Sequence, residues 1–384
     1  DLPVIEFPAW DCLPYDRMSP NADLSAQRMA ALAALAHGTV PQRFVFLTTL
    51  SAATQRLPAK EILSEAAFTL MKGQRVNEAD LRAFFVRMGF TQAPTVVEHG
   101  DYAIRGGIID VYPPGQALPV RLDFFGDELD GIRRFDPATQ KTVDSLKEVS
   151  FTPVSEVILD EPAITRFRQN YRIEFGSAGT DDPLYEAVTA GRKHAGMEHW
   201  LPFFHDRLET LFDYLPGVPL LMDDQLTPAR LARWESIEDQ YQTRRHAMAQ
   251  KGRIDSVYKP VPPGQLYLDD TAWEMATEGR RVVQFHPLPQ SSGPGGVDAG
   301  GRIGRSFAPE RQQENVSLFG ALADHVKTKM QDGPVLIASW SEGARERLTG
   351  LIEDEGLAEA IPIGNGTRIG KRGLHLAVWA LENG

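Results

Sequence analysis

Few residues in this sequence have the types and spacing that chemistry needs. A Walker-type phosphate loop requires glycine, four residues, glycine, lysine and a hydroxyl residue, so that main-chain amides cradle phosphates and the hydroxyl reaches magnesium. The nearest match, Gly364-Asn365-Gly366-Thr367-Arg368-Ile369-Gly370-Lys371-Arg372, has the wrong glycine spacing and an arginine where the hydroxyl belongs. It reads as a glycine-rich turn, and the chain is expected not to hydrolyse ATP by itself. His194, His199 and His205 lie close enough to raise a zinc site, but their spacing fits no two-histidine helical motif. Trp200, Phe203 and Phe204 around them point to core packing or edge positions instead. Cys12 has no identifiable partner base and reads as a loop thiol. The pairs Asp181-Asp182 and Asp223-Asp224 suit helix N-termini, where carboxylates accept free amides, better than general acid–base or metal work. No catalytic residue, metal ligand or cofactor is therefore expected within this chain.

The remaining candidates would bind rather than react. Tyr102 to Tyr112 and Pro119 to Phe125 flank Pro113-Pro114-Gly115, a turn signal, and read as an antiparallel hairpin. Side chains alternate along a strand, so Val120, Leu122 and Phe124 share one face and Arg121, Asp123 and Phe125 the other. With the aliphatic set inward, Phe125 stands outward beside Arg121, an aromatic–arginine composition typical of protein-binding hot spots. Arg105, just before Gly106-Gly107, can join them from the neighbouring strand, and the glycine pair reads as a bulge that re-aims nearby side chains.

These residues sit within a longer α/β pattern. Ahead of them, Asp23 or Ser25 is placed to cap a helix running to Leu35, and Phe44 to Thr48 reads as a short buried strand. From about Phe68 the pattern becomes a compact α+β insert, with an amphipathic helix near Glu78 to Met88 that sets Leu81, Phe84, Phe85 and Met88 on one face. After it come the segment Tyr171 to Phe175, a helix behind Thr180-Asp181-Asp182, a strand at Leu220-Leu221-Met222 and a charged helix from about Pro228 to Gln250. Glycine, proline and serine dominate from Pro287 to Gly304, which reads as a linker. Beyond it, a helix from Glu314 to Met330, a strand from Val335 to Ala338, a helix from Glu342 to Glu353 and a strand from Leu374 to Leu381 alternate as a small α/β domain. The expected domains are residues 1–66 and 153–289 as two parts of one α/β domain, 67–152 as its insert, and 290–384 as a third.

Composition limits the function classes. The 384 residues carry 40 basic and 52 acidic side chains, a net charge of −12, with 42% hydrophobic residues, so wholesale disorder is excluded and several domains are expected. An acidic chain without a strong basic patch is a poor general ligand for phosphate backbones. The insert, with 10 basic and 12 acidic residues between Phe68 and Thr152, carries only −2 of the total. One cysteine excludes a disulfide framework and fits a reducing, cytoplasmic setting. The sequence shows neither a membrane-length apolar run nor a signal peptide, and its ends read as if cut from a longer polypeptide.

Several segments, taken in order, resemble the amino-terminal region of bacterial transcription-repair coupling factors, the Mfd family. They are Phe7-Pro8-Ala9-Trp10-Asp11-Cys12-Leu13-Pro14-Tyr15-Asp16, Glu98-His99-Gly100-Asp101-Tyr102-Ala103-Ile104-Arg105-Gly106-Gly107-Ile108-Ile109-Asp110 and Pro119-Val120-Arg121-Leu122-Asp123-Phe124-Phe125. The stretches from Gly196 to Phe204 and Leu211 to Pro216, and Ser339-Trp340-Ser341-Glu342-Gly343-Ala344-Arg345, continue the resemblance. It implies a degenerate helicase-like α/β domain, similar to the repair protein UvrB, interrupted by an insert that recruits UvrA and followed by a small α/β domain. It places the UvrA contacts on Arg105, Arg121 and Phe125. It also implies that RNA polymerase and double-stranded DNA are partners of other domains, that ATP and magnesium serve downstream motor domains, and that a C-terminal domain covers the insert until polymerase engages. UvrB itself is the competing reading, as a damage-recognition protein that binds DNA and ATP, but its phosphate loop and aromatic hairpin are not visible here.

Overall fold

The computed structural model describes residues 2–176, 182–249, 258–287, 295–300, 305–313, 316–356, 360–364 and 369–379. The chain divides into two compact units, residues 1–287 and 288–384. Both are α/β, as the alternation of strand and helix signals predicts.

In the first unit, the strand Val4–Phe7 pairs in parallel with Val45–Thr48, and Leu220–Asp223 pairs in parallel with Val282–Phe285. The expected buried strand near Phe44 is thus a member of a two-stranded sheet, and Val45 and Leu47 are exposed rather than buried. The helix Ala22–Ala36 is capped neither by Asp23 nor by Ser25: the Asn21 side chain accepts the Asp23 amide at 2.8 Å. Three capping residue types crowd this segment, and the one in extended geometry before the first turn takes the role. The segment Tyr171 to Phe175 closes the helix Glu161–Phe175, capped by Asp160. The charged helix runs Leu226–Ala249 and buries only Ile237 and Tyr241. Its expected end, Gln250, lies outside the described residues.

The insert carries its own core. A six-stranded sheet runs in the order Thr142–Leu146, Glu128–Phe135, Val120–Phe125, Ile108–Val111, Asp101–Arg105, Thr91–Gln92, antiparallel except for the last pair. The helix Glu78–Arg87, capped by Asn77, covers one face and buries Leu81, Phe84 and Phe85 against Val111, Val120, Leu122 and Ile132. A separate antiparallel pair joins Phe68–Met71 to Glu148–Phe151, with Phe68 opposite Phe151. That pairing brings the two ends of the insert together, so a polypeptide can leave the surrounding domain and return at nearly the same place.

Behind the insert, Glu156 anchors the chain in the interior. Its carboxylate accepts Arg28 Nε at 2.7 Å, Trp10 Nε1 at 3.2 Å and Gln55 Nε2 at 3.4 Å, while Arg28 Nη1 donates to the Pro8 carbonyl at 2.7 Å. Arg28 and Glu156 are both buried, so the pair stands in a setting where its attraction is weakly screened and its separation costly.

The second unit holds a parallel sheet in the order Val335–Ser339, Leu374–Val378, Ile361–Ile363, with helices Leu318–Lys329 and Glu342–Asp354 capped by Ser317 and Ser341. The strand at Ile361 is an addition to the expected pattern. The expected helix start at Glu314 and strand end at Leu381 lie outside the described residues.

Candidate functional site: the outward face of the insert sheet

The two faces of the insert sheet differ chemically, and the alternation in Val120–Phe125 creates the difference. Val120 and Leu122 are fully buried, Phe124 packs partly on the same core, and Phe125 is 85% exposed. Phe125 ends its strand at a turn through Gly126 and Asp127 and pairs in register with Glu128. An aromatic side chain this open to water leaves most of its apolar surface available to a partner.

The glycine pair beside it is not a bulge. Gly106 and Gly107 form the two-residue turn joining Asp101–Arg105 to Ile108–Val111, with Arg105 opposite Ile108 and Gly106 at φ +59°. Two residues between paired strands make a hairpin, and glycine supplies the left-handed conformation that such a turn needs. The end of the Phe125 strand lies hard against this turn. Phe124 N donates to the Gly107 carbonyl at 2.7 Å, and a Cβ on Gly107 would meet the Phe124 carbonyl oxygen at 2.8 Å. The one register shift in the Phe125 strand falls between Asp123 and Phe124, opposite Glu128–Phe135.

Arg105 and Arg121 occupy the same face in different states. The Arg105 guanidinium is exposed and donates to the Pro94 carbonyl and, at 3.2 Å, to Thr95 Oγ1. Arg121 is mostly covered: Nε and Nη2 donate to the two oxygens of Asp110 at 2.7 and 2.8 Å, and the guanidinium carbon lies 4.7 Å from the Phe135 ring centroid. The hydrogen bond to Asp110 raises the Arg121 pKa against the opposing effect of burial. One residue pair further along, Arg133 makes the same two-pronged contact with Asp123 at 2.8 and 2.6 Å. Ile108, opposite Asp123, adds a second exposed apolar side chain. Behind Arg121, Val96, Ala103, Tyr112 and Phe135 form a small second core on this same side of the sheet.

Asp110, Arg133 and Ile108 were not singled out by sequence reasoning, which set Asp123 on the outward face without giving it a role. The signal for Asp110 lies in the hairpin register, since a lone carboxylate in the apolar run Ile108-Ile109-Asp110-Val111 falls opposite Arg121.

The other candidates resolve into structural roles. Burial drives the pKa of His199 and of His205 down to about 4, so both are neutral near pH 7. His205 Nε2 bonds the Glu156 carbonyl at 3.1 Å, and His199 Nε2 lies 3.9 Å from Cys12 Sγ. Burial pushes the Cys12 thiol up to about 12, the reverse of what a nucleophile needs. His194 bonds the neighbouring Ala195 carbonyl. Among the described residues no group of three histidine, cysteine or acidic side chains is placed to hold a metal ion. Asp182 accepts the Tyr185 amide at 3.2 Å as the cap of Pro183–Thr189, and Asp223 accepts the Gln225 amide at 3.1 Å before the long helix. Asp181 and residues 365–368 of the glycine-rich segment lie outside the described residues. No helix of the described residues is long and apolar enough to cross a membrane.

Comparison with known proteins bears on the same segment. Residues 68–156 match the UvrB interaction domain family. The whole chain is 30% identical to the transcription-repair-coupling factor of Escherichia coli, covering 32% of that protein. Identity to the Haemophilus influenzae factor is also 30%, over 91% of this chain and 29% of the relative. In sequence the chain is similar to part of the transcription-repair-coupling factors. It is 36% identical to the Myxococcus xanthus factor over 61% of its length, covering 20% of that protein. The chain thus spans about three tenths of the length of the Escherichia coli and Haemophilus influenzae factors. The family match spans every strand and helix of the insert, and with them every residue of the outward face.

Proposed function

We propose that this chain is a UvrA-recruiting adaptor module of a transcription-repair coupling factor, which links stalled RNA polymerase to nucleotide excision repair. The observation that carries the reading is Phe125, 85% exposed on a segment that matches a UvrB interaction domain and flanked on one sheet face by Arg105 and Arg121. Phe125 fills an apolar recess on UvrA, while the arginines donate charge-assisted hydrogen bonds at its margin. The module does no chemistry of its own. ATP and magnesium, the DNA duplex and RNA polymerase belong to other parts of a coupling factor, which translocates on DNA, and one of its C-terminal domains covers the insert until polymerase is engaged. In domain terms, residues 1–66 and 153–289 form the UvrB-like domain, 67–152 its UvrA-binding insert and 290–384 the third domain, in the cytoplasm. The meeting of the insert's two ends at Phe68 and Phe151 supports that division.

Calorimetric titration of purified UvrA into the chain tests the proposal. Saturable binding without DNA or ATP is expected, and tighter than that of a full-length factor whose insert is covered. A folded chain that ignores UvrA, or binds it more weakly than the covered full-length protein, overturns the reading. Tight binding of ATP and duplex DNA by the chain alone would favour a UvrB-like damage-recognition role instead.

A further inference from the structure

The docking face carries one buried ionisable side chain whose role the adaptor reading leaves open. Asp110 is 2% exposed, yet it lies on the outward side of its strand, directly opposite Arg121. Both of its oxygens are engaged by Arg121, at 2.7 and 2.8 Å. The Phe135 ring backs the guanidinium from behind, 4.7 Å from centroid to carbon. A guanidinium has five N–H donors in a fixed plane, and a two-pronged carboxylate contact takes two of them along one edge. The other donors are therefore held in one orientation before any partner arrives. A long side chain that is already ordered loses less rotamer freedom on docking.

We infer that Asp110 is a positioning residue for partner recognition: it fixes and neutralises Arg121, so that the docking face is preorganised. The inference rests on the adaptor reading and refines its site. Asp123 holds Arg133 in the same two-pronged way, which makes the middle of the face a ladder of self-neutralised pairs. Among the described residues Arg105 bonds a carbonyl and a hydroxyl and has no such carboxylate. The surface that fits this arrangement offers neutral acceptors, such as main-chain carbonyls, to Arg121. It offers a carboxylate to Arg105 and an apolar recess to Phe125 and Ile108.

A double-mutant cycle on UvrA affinity tests the inference, using Asp110→Asn, Arg121→Ala and the two combined, with circular dichroism and thermal melting run beside each. A residue that acts only through another loses its effect when the other is absent. The expected result is that Asp110→Asn weakens binding about tenfold, Arg121→Ala at least as much, and the double variant no more than Arg121→Ala alone. If Arg121→Ala weakens binding while Asp110→Asn does not, or if the two losses multiply, the inference fails and the adaptor reading stands. If the wild-type chain does not bind UvrA, the adaptor reading falls and the inference with it. Should Asp110→Asn melt early, Arg121→Lys replaces it. That variant keeps the charge but loses the fork, so binding as poor as that of Arg121→Ala is expected, and wild-type binding overturns the inference.

Discussion

Acidification probes the packing around His199 and His205, which lie outside the insert. Burial disfavours the imidazolium and lowers the pKa of His199 and His205 from the ordinary 6.5 to about 4 in the folded chain. In the unfolded chain both take up a proton as the pH falls through the ordinary histidine range, while the folded chain does not. The unfolded state then binds more protons, and stability falls as the pH drops from about 6.5 to about 4. At pH 5 the two titration curves differ enough to remove about 2 kcal/mol per histidine, or about 4 kcal/mol for both, a large part of a typical 5–15 kcal/mol. Glu198 opposes this in part, because burial raises its pKa and its contribution grows as the pH falls. Urea titrations of the wild type and of a His199→Gln/His205→Gln variant at pH 7.5, 6 and 5 measure the effect. The wild type is expected to lose several kcal/mol across that range and the variant much less. A flat wild-type profile, or a variant that keeps the full slope, refutes neutral burial of these two rings.

Three further perturbations address the fold and the face. Glu156→Ala leaves the buried Arg28 without its carboxylate and is expected to cost about 3–5 kcal/mol in a denaturant titration; a loss below about 1 kcal/mol would contradict the role of this pair. Gly107→Ala forces a Cβ to within 2.8 Å of the Phe124 carbonyl oxygen, so the turn must shift. A stability loss of about 1–3 kcal/mol together with weaker UvrA binding is expected, and an unchanged melting temperature counts against the close approach. Phe125→Ala, at a position 85% exposed, is expected to leave the melting curve in place and weaken UvrA binding by about 1–3 kcal/mol; lost stability with unchanged affinity would place the ring in a core instead.

The alternation in Val120–Phe125 was legible because only one face of that strand packs on the large core, so aliphatic and polar residues alternate with the pleat. Asp110 was harder to see. Its strand is apolar on both sides, since the second small core of Val96, Ala103, Tyr112 and Phe135 fills part of the outward face, and the period of two disappears. Gly106-Gly107 carries the same signal for a bulge and for a two-residue turn. The pairing of Arg105 with Ile108, a tertiary fact, decides between them. The amphipathic helix Glu78–Arg87 was readable because its apolar residues recur at helical spacing around a single buried stripe. The short strand Ile361–Ile363 escaped notice because three residues with a central proline have no usable period. The histidines near Trp200 read as core or edge positions from their aromatic neighbours; His199 and His205 are buried, which is why neither is charged near pH 7.

The central claim is that one face of the insert recruits UvrA through an exposed aromatic and its arginines. Titration of UvrA into the wild-type chain and into an Arg121→Ala/Phe125→Ala variant, both verified as folded by circular dichroism, tests it most directly. The account predicts saturable wild-type binding and a loss of affinity of about a hundredfold or more in the variant. A folded variant that binds UvrA as tightly as the wild type would contradict it.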